Sequence, residues 1–228
     1  MAELAEIIEI IRRECDYADL CEESFYDNVI HPFKMKYQHS FTWANGASKG
    51  VLIFKDLSFV LKFPFRYSEG DYDCEAEEYV RWEFCGAEDG EEGWNYCEAE
   101  FIKYQEALEE GLSDCFATIK KIQLDDYNFV YCQEFANIYS ELDDDTYKSI
   151  SCGDENSKSQ VTNYFSIHEG FDCFNRNWLS DCMAFYGEKV FDKLLKFIRC
   201  VGIGDLHGAN IGYIGIRPVL VDFSDFNE

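Results

Sequence analysis

An α+β chain of two lobes is the fold class this sequence predicts, on three observations. Short β-rich stretches cluster between residues 40 and 63, an apolar stripe of helical period runs through 180–200, and a hairpin pattern occupies 210–222. A length of 228 residues suits one large domain or two small lobes. The expected organisation is an N-terminal helical extension over 1–39, a β-sheet lobe with one helix over 40–135, and a reduced helical lobe over 136–228 that carries the terminal hairpin.

Leu4, Ile7, Ile8 and Ile11 recur at helical spacing in 3–17, which predicts an amphipathic helix. A turn region is expected to follow through Asn28 and Pro32. Phe41-Thr42-Trp43, Val51-Leu52-Ile53-Phe54 and Ser58–Phe63 are separated by turn residues, the pattern of an antiparallel meander stopped by Pro64. Residues 66–100 hold 13 Asp or Glu against Arg66 and Arg81, and 66–94 read as a surface insertion. Cys74-Glu75-Ala76-Glu77 recurs as Cys97-Glu98-Ala99-Glu100. The second copy opens a helix that puts Glu100, Tyr104, Ala107, Leu108 and Gly111 on one face, with Gly111 ending it. Phe116–Ile122 and Asn128–Cys132 are the next strands, and Ser151–Ser159 a loop. Met183, Val190, Leu194, Leu195, Phe197 and Ile198 make the stripe of the 180–200 helix. Asn210–Ile214 and Val219–Asp222 form the hairpin around a turn at Gly215–Pro218.

The net charge of −25 argues against nucleic acid, which needs clustered Lys and Arg, and against an anionic membrane surface. No segment is long and apolar enough to span a bilayer. The first residues are acidic where a secretory signal needs positive charge, so a cytoplasmic setting is expected. The 11 cysteines are an odd number without a C-x-x-C pair, which predicts reduced, mostly structural thiols.

The most specific string is Gly204-Asp205-Leu206-His207-Gly208-Ala209-Asn210, with Asp222-Phe223-Ser224 beginning twelve residues after Asn210. An Asp and an Asn on one loop, with a second Asp at the end of a hairpin, supply a base for a hydroxyl proton. They also supply oxygen donors for Mg²⁺ on a phosphate chain. This ensemble resembles the protein-kinase-like superfamily, whose catalytic loop reads D-x-x-x-x-N and whose metal-binding D-F-G follows a short hairpin. The D-L-H form looks more like the aminoglycoside and choline kinase branch, and the whole like short kinase-like proteins of bacteria and prophages.

The resemblance covers roughly 40–228 and implies a kinase-like two-lobed fold with a minimal, truncated C-lobe. It implies catalytic roles for Asp205, Asn210 and Asp222, with Asn210 and Asp222 holding the metal. Asn45–Val51 fits the phosphate loop loosely, through Gly46, Ser48 and Gly50. Val60-Leu61-Lys62 resembles the strand of the nucleotide lysine, making Lys62 the phosphate ligand. Glu100 is its expected carboxylate partner, with Glu98 and Glu77 as alternatives. Gln133 and Glu134 lie where the adenine-binding hinge should be. Ser224 in place of glycine, Ile203 where the family's loop has His, and no A-P-E or peptide-docking region after Asp222 depart from the pattern. The function implied is an ATP- and Mg²⁺-dependent phosphotransferase with an unidentified acceptor, a small molecule or a protein. The alternatives are a catalytically silent nucleotide-binding regulator and an acidic interaction or inhibitor protein.

Overall fold

The computed structural model describes residues 2–46, 48–65, 67–73, 78–83, 95–167, 174–204 and 206–223. The chain divides into two compact units, one of residues 1–101 with 119–134, the other of 102–118 with 135–228.

The first unit is a helical layer on an antiparallel sheet. Helix α1 (Ala2–Glu14) is followed by a helical run made of α2 (Glu22–Phe25), a π-helical turn over Tyr26–Ile30, and α3 (His31–Lys36). The turn expected through Asn28 and Pro32 is therefore helix. Proline removes the amide that would bond the carbonyl four residues earlier, and here the Asn28 carbonyl accepts from the Asp16 amide at 2.9 Å instead. A contact from outside the run satisfies what Pro32 leaves open.

The strands β1 (Thr42–Asn45), β2 (Lys49–Phe54), β3 (Phe59–Pro64), β6 (Ile119–Gln123) and β7 (Phe129–Glu134) form one sheet, ordered β1-β2-β3-β7-β6. The register pairs Leu52 with Leu61, Gly50 with Phe63 and Leu61 with Cys132. That face, with period two, meets Ile7, Ile8, Ile11, Phe25, Val29, Ile30 and Phe33 in one core. β4 (Tyr67–Asp73) and β5 (Glu78–Glu83) pair as a separate hairpin inside the expected insertion; the rest of 66–94 lies outside the described residues.

Gly50 is glycine for a packing reason. A Cβ built there would sit 2.4 Å from the Phe25 ring. Gly50→Ala is expected to cost about 1–3 kcal/mol through overpacking. Urea unfolding measures the loss, and Gly50→Ala combined with Phe25→Leu should recover part of it. An unaltered midpoint in Gly50→Ala would show that the ring moves freely.

Helix α4 (Tyr96–Glu109) begins at Asn95, whose side chain accepts from the Glu98 amide at 3.0 Å. Glu100, Tyr104 and Ala107 are buried as the spacing predicts, but Leu108 is half exposed and lies off that face. Gly111 follows with φ +65°, the left-handed stop.

The second unit holds α5 (Asp144–Ile150), α6 (Glu155–Ile167), α7 (Arg176–Tyr186), α8 (Glu188–Cys200) and a three-stranded sheet, β10 (Arg217–Leu220), β9 (Ile211–Ile214) and β8 (Asn137–Ile138). Three sequence expectations are corrected here. The 180–200 helix is two helices, broken at Gly187 with φ +79°. The loop over 151–159 ends early, because Asp154 accepts from the Ser157 amide at 2.8 Å while Ser157 Oγ accepts from the Asp154 amide, and α6 starts between them. Pro218 belongs to β10, paired with Tyr213, so the hairpin turn is Gly215–Ile216.

The eight cysteines of the described residues are free thiols. Burial pushes Cys15 and Cys115 up to about 12 and Cys132 up to about 11, from an ordinary 9.0. A raised pKa keeps its contribution below the denatured-state value and loses it as pH climbs toward the folded one. Stability is thus expected to hold to about pH 8.5 and decline from pH 9 toward 12. Urea midpoints across pH 7–11 check this; a midpoint that rises over that range would overturn it.

Candidate functional site

The sheet face opposite the helical layer carries a charged array. Val51, Lys62, Tyr131 and Lys121 are cross-strand neighbours, so they share this face. Lys62 is 4% exposed and donates to Glu100, which is fully buried, at 2.5 Å. Lys49, two residues before Val51 on β2, donates to the other oxygen of the same carboxylate. Tyr131 donates to Glu98, and Lys121 pairs with Glu98 at 2.7 Å. The first turns of α4 thus place two carboxylates on three lysines and a tyrosine. Burial, and then Glu98, raise the Tyr131 phenol far above its ordinary value. It stays a neutral donor at physiological pH.

The structure brings Lys62 and Glu100 together and gives Glu98 a different set of partners. Glu77 lies outside the described residues. Gly46, Ser48 and Gly50 are spread over a tight hairpin rather than an open loop. The Gly46 amide bonds the Lys49 carbonyl at 3.0 Å, and the Ser48 carbonyl accepts from the Phe65 amide at 2.9 Å. Gly50 sits inside β2 and faces Phe25, on the far side from Lys62. Gln133 is buried on the Lys62 face, opposite Val60, and Glu134 ends β7 just before the boundary between the two units.

In the second unit, Asp205 lies outside the described residues. Around it the loop is fixed by backbone bonds and buried side chains. Leu206 and Ile203 are buried, the Gly208 carbonyl accepts from the Ser140 amide at 2.9 Å, and the Asn210 amide bonds the His207 carbonyl at 3.0 Å. His207 Nδ1 accepts from the Ala209 amide at 3.1 Å. The Asn210 carbonyl receives the Val221 amide at 2.9 Å and the Asp222 amide at 3.3 Å, which joins the two expected metal residues. Phe223 is buried with its ring 5.0 Å from Phe116, anchoring the residue after Asp222. An amide oxygen and a carboxylate are hard donors of the kind Mg²⁺ takes, completed by phosphate oxygens and water. Among the described residues, no three His, Cys, Asp or Glu side chains are grouped to hold a metal on their own.

Two features escaped the sequence reading. Lys49 fell within the supposed phosphate loop, although counting by twos from Lys62's partner Val51 places it on the same face. Asp181, on α7, is fully buried and accepts five bonds. Oδ1 takes Ser151 Oγ at 2.7 Å, the Cys152 amide at 2.9 Å and the Gly153 amide at 2.6 Å; Oδ2 takes the Tyr213 hydroxyl at 2.5 Å and the Tyr147 hydroxyl at 3.1 Å. A carboxylate flanked by Trp178, Leu179, Cys182 and Met183 was the available signal. Comparison with family models, curated proteins and solved structures finds no match.

Proposed function

We propose that this chain is an ATP- and Mg²⁺-dependent phosphotransferase with a protein-kinase-like fold and a reduced second lobe. The buried Lys62–Glu100 ion pair carries the reading. A lysine on a central strand is expensive to bury unless its charge has work to do, and holding it beside a helix carboxylate orients an ammonium for phosphate oxygens. In this reading Lys62 binds nucleotide phosphates and Glu100 fixes Lys62. The Gly46–Ser48 turn and the Gln133–Glu134 segment contact the nucleotide. Asn210 and Asp222 would hold Mg²⁺, which would neutralise phosphate charge, and Asp205 accepts the acceptor's hydroxyl proton as that oxygen bonds the γ-phosphorus and the bond to the β–γ bridging oxygen breaks, releasing ADP. The acceptor is a small molecule or a protein.

Thermal unfolding with ATP, with and without Mg²⁺, tests the binding step. Ligand at about 100 times Kd stabilises by about 2.7 kcal/mol, or roughly 5–10 °C for a chain of this size. The rise should need Mg²⁺, shrink in Asp222→Asn and disappear in Lys62→Ala. Equal shifts with and without metal would count against the metal residues. Binding without transfer of labelled phosphate to any acceptor would support the silent regulator, and neither would leave the acidic interaction protein.

A further inference from the structure

The chain is acidic at about one residue in five, yet from Asn28 to Lys55 it contains no Asp or Glu. Over that stretch it places Lys34, Lys36, Lys49 and Lys55 with His31 and His39; Glu100 takes Lys49 and Glu14 takes Lys36 at 3.6 Å, while Lys34 lines the groove described next. The same stretch builds the open edge of the first unit's sheet. β1 pairs with β2 and stands at the end of the strand order. The bond from the Gly46 amide to the Lys49 carbonyl sets the alternation of the ladder, so Ala44 and Thr42 sit at the hydrogen-bonded positions facing β2. The amide and carbonyl of Trp43 and Asn45 therefore point outward. All four residues of β1 are exposed.

Beside this edge lies a groove of about 420 Å³. One wall is Tyr26, Ile30 and Lys34, spaced four apart along the helical run; the other is Phe41, Thr42 and Trp43. Ile30 is buried at its floor, while the Tyr26 and Trp43 rings, 5.7 Å apart, stay 45% and 42% exposed. Two large aromatics left open next to a strand edge that no described strand pairs form an anchor pocket alongside a backbone template. Among the described residues, Lys34 is the charged residue of the lining, exposed, and no carboxylate lines the groove.

We propose that the β1 edge and the Tyr26–Lys34–Trp43 groove dock an extended acidic segment of a partner protein, which adds as a strand to β1 and seats an apolar side chain against the exposed faces of the Tyr26 and Trp43 rings. The segment's backbone pairs with the outward groups of Trp43 and Asn45, and its carboxylates meet Lys34. A second copy of this chain is a poorer occupant, because β1 paired with its own copy would bring the two Lys34 grooves together, lysine against lysine. Nucleic acid is poorer as well, since one lysine in the groove neutralises little phosphate.

The probe is a labelled peptide, Glu-Thr-Glu-Thr-Phe-Thr-Glu-Thr-Glu, titrated with the full chain and followed by fluorescence anisotropy. Its Phe and Glu share one face, and Thr favours the strand. Saturable binding is expected, weakened by added salt and by replacing each Glu of the peptide with Lys. Trp43→Ala should weaken it about thirtyfold, the loss typical of a buried aromatic anchor. Lys34→Glu, an exposed change that leaves the groove's apolar walls intact, should weaken it at least fivefold or so. Hydrogen exchange at the Trp43 and Asn45 amides should slow with peptide bound. The proposal is overturned if the wild-type chain does not bind, if the Lys peptide binds as well, or if Lys34→Glu binds unchanged. It is equally overturned if the chain sediments as a dimer that Trp43→Ala dissociates, or if an oligothymidine displaces the peptide.

Discussion

Asp181→Ala is expected to destabilise the protein by at least about 4 kcal/mol, the range reached when a buried hydrogen-bond network is broken. One buried carboxylate accepts from two backbone amides, a serine hydroxyl and two tyrosine hydroxyls. Bonds to a charged acceptor contribute about 1.5–3 kcal/mol each, and a donor left dry costs about 1–3 kcal/mol. The five do not add independently, since all share one group. Alanine also brings no atom into the space the carboxylate leaves. Asp181→Asn keeps the shape but turns an amide NH₂ toward donors, so it should fall between wild type and alanine. Tyr147→Phe removes the 3.1 Å bond to Asp181 and the hydroxyl that also accepts from Ser151 Oγ at 3.3 Å, and should cost about 1 kcal/mol. Urea unfolding followed by circular dichroism gives all three. An Asp181→Ala loss below about 1 kcal/mol would mean that water replaces the carboxylate and that the network does not hold residues 151–153 against β9.

What was legible in the sequence divides along the range of the interactions involved. The stripe Leu4–Ile11, the meander from Thr42 to Pro64, the helix carrying Glu100 and the hairpin at 211–220 are specified by neighbours within a few residues. Periods of 3.6 and 2 expose them, and the α+β class follows. The helix through Pro32 was hidden, because the contact that makes it tolerable comes from Asp16, twelve residues before Asn28. β8 has two residues, and only its partner β9, more than seventy positions on, makes it a strand. Gly187 breaks a helix at a place where the apolar stripe continues across the break, so periodicity alone runs two helices together. Asp181 is the extreme case: its donors lie 28 to 34 residues away on both sides. Lys62 and Glu100 were named from a resemblance, and the structure shows the contact between them, 38 residues apart. Lys49 was legible in principle. The glycines at 46 and 50 draw it into a loop, while the pairing of Asn45 with Gly50 keeps it in the strand.

Glu100→Ala is the second large effect expected, and its ordering against the lysine changes is what distinguishes the mechanism. Removing one partner of a buried ion pair costs about 3–5 kcal/mol, because the remaining charge is stranded away from water. Glu100→Ala removes the carboxylate that two ammonium groups share, and their side chains are 11% and 5% exposed. Lys62→Ala leaves Glu100 with Lys49, and Lys49→Ala leaves it with Lys62. The expected order of loss is therefore Glu100→Ala, then Lys62→Ala, then Lys49→Ala, the last because the more exposed ammonium gives up least on release to water. Combining Glu100→Ala with Lys62→Met should be less damaging than the sum of the two single changes, since the second change removes a charge whose carboxylate the first one took away. Nucleotide binding adds an independent axis. If Lys62 is oriented by Glu100 for phosphate, Glu100→Gln should lower the Mg²⁺–ATP thermal shift even where the fold is kept, and Lys62→Ala should abolish it. If the array is only a structural clamp, the stability order will hold while every variant that folds shifts with Mg²⁺–ATP as the wild type does. Equal losses for all three single alanine changes would refute the shared carboxylate itself.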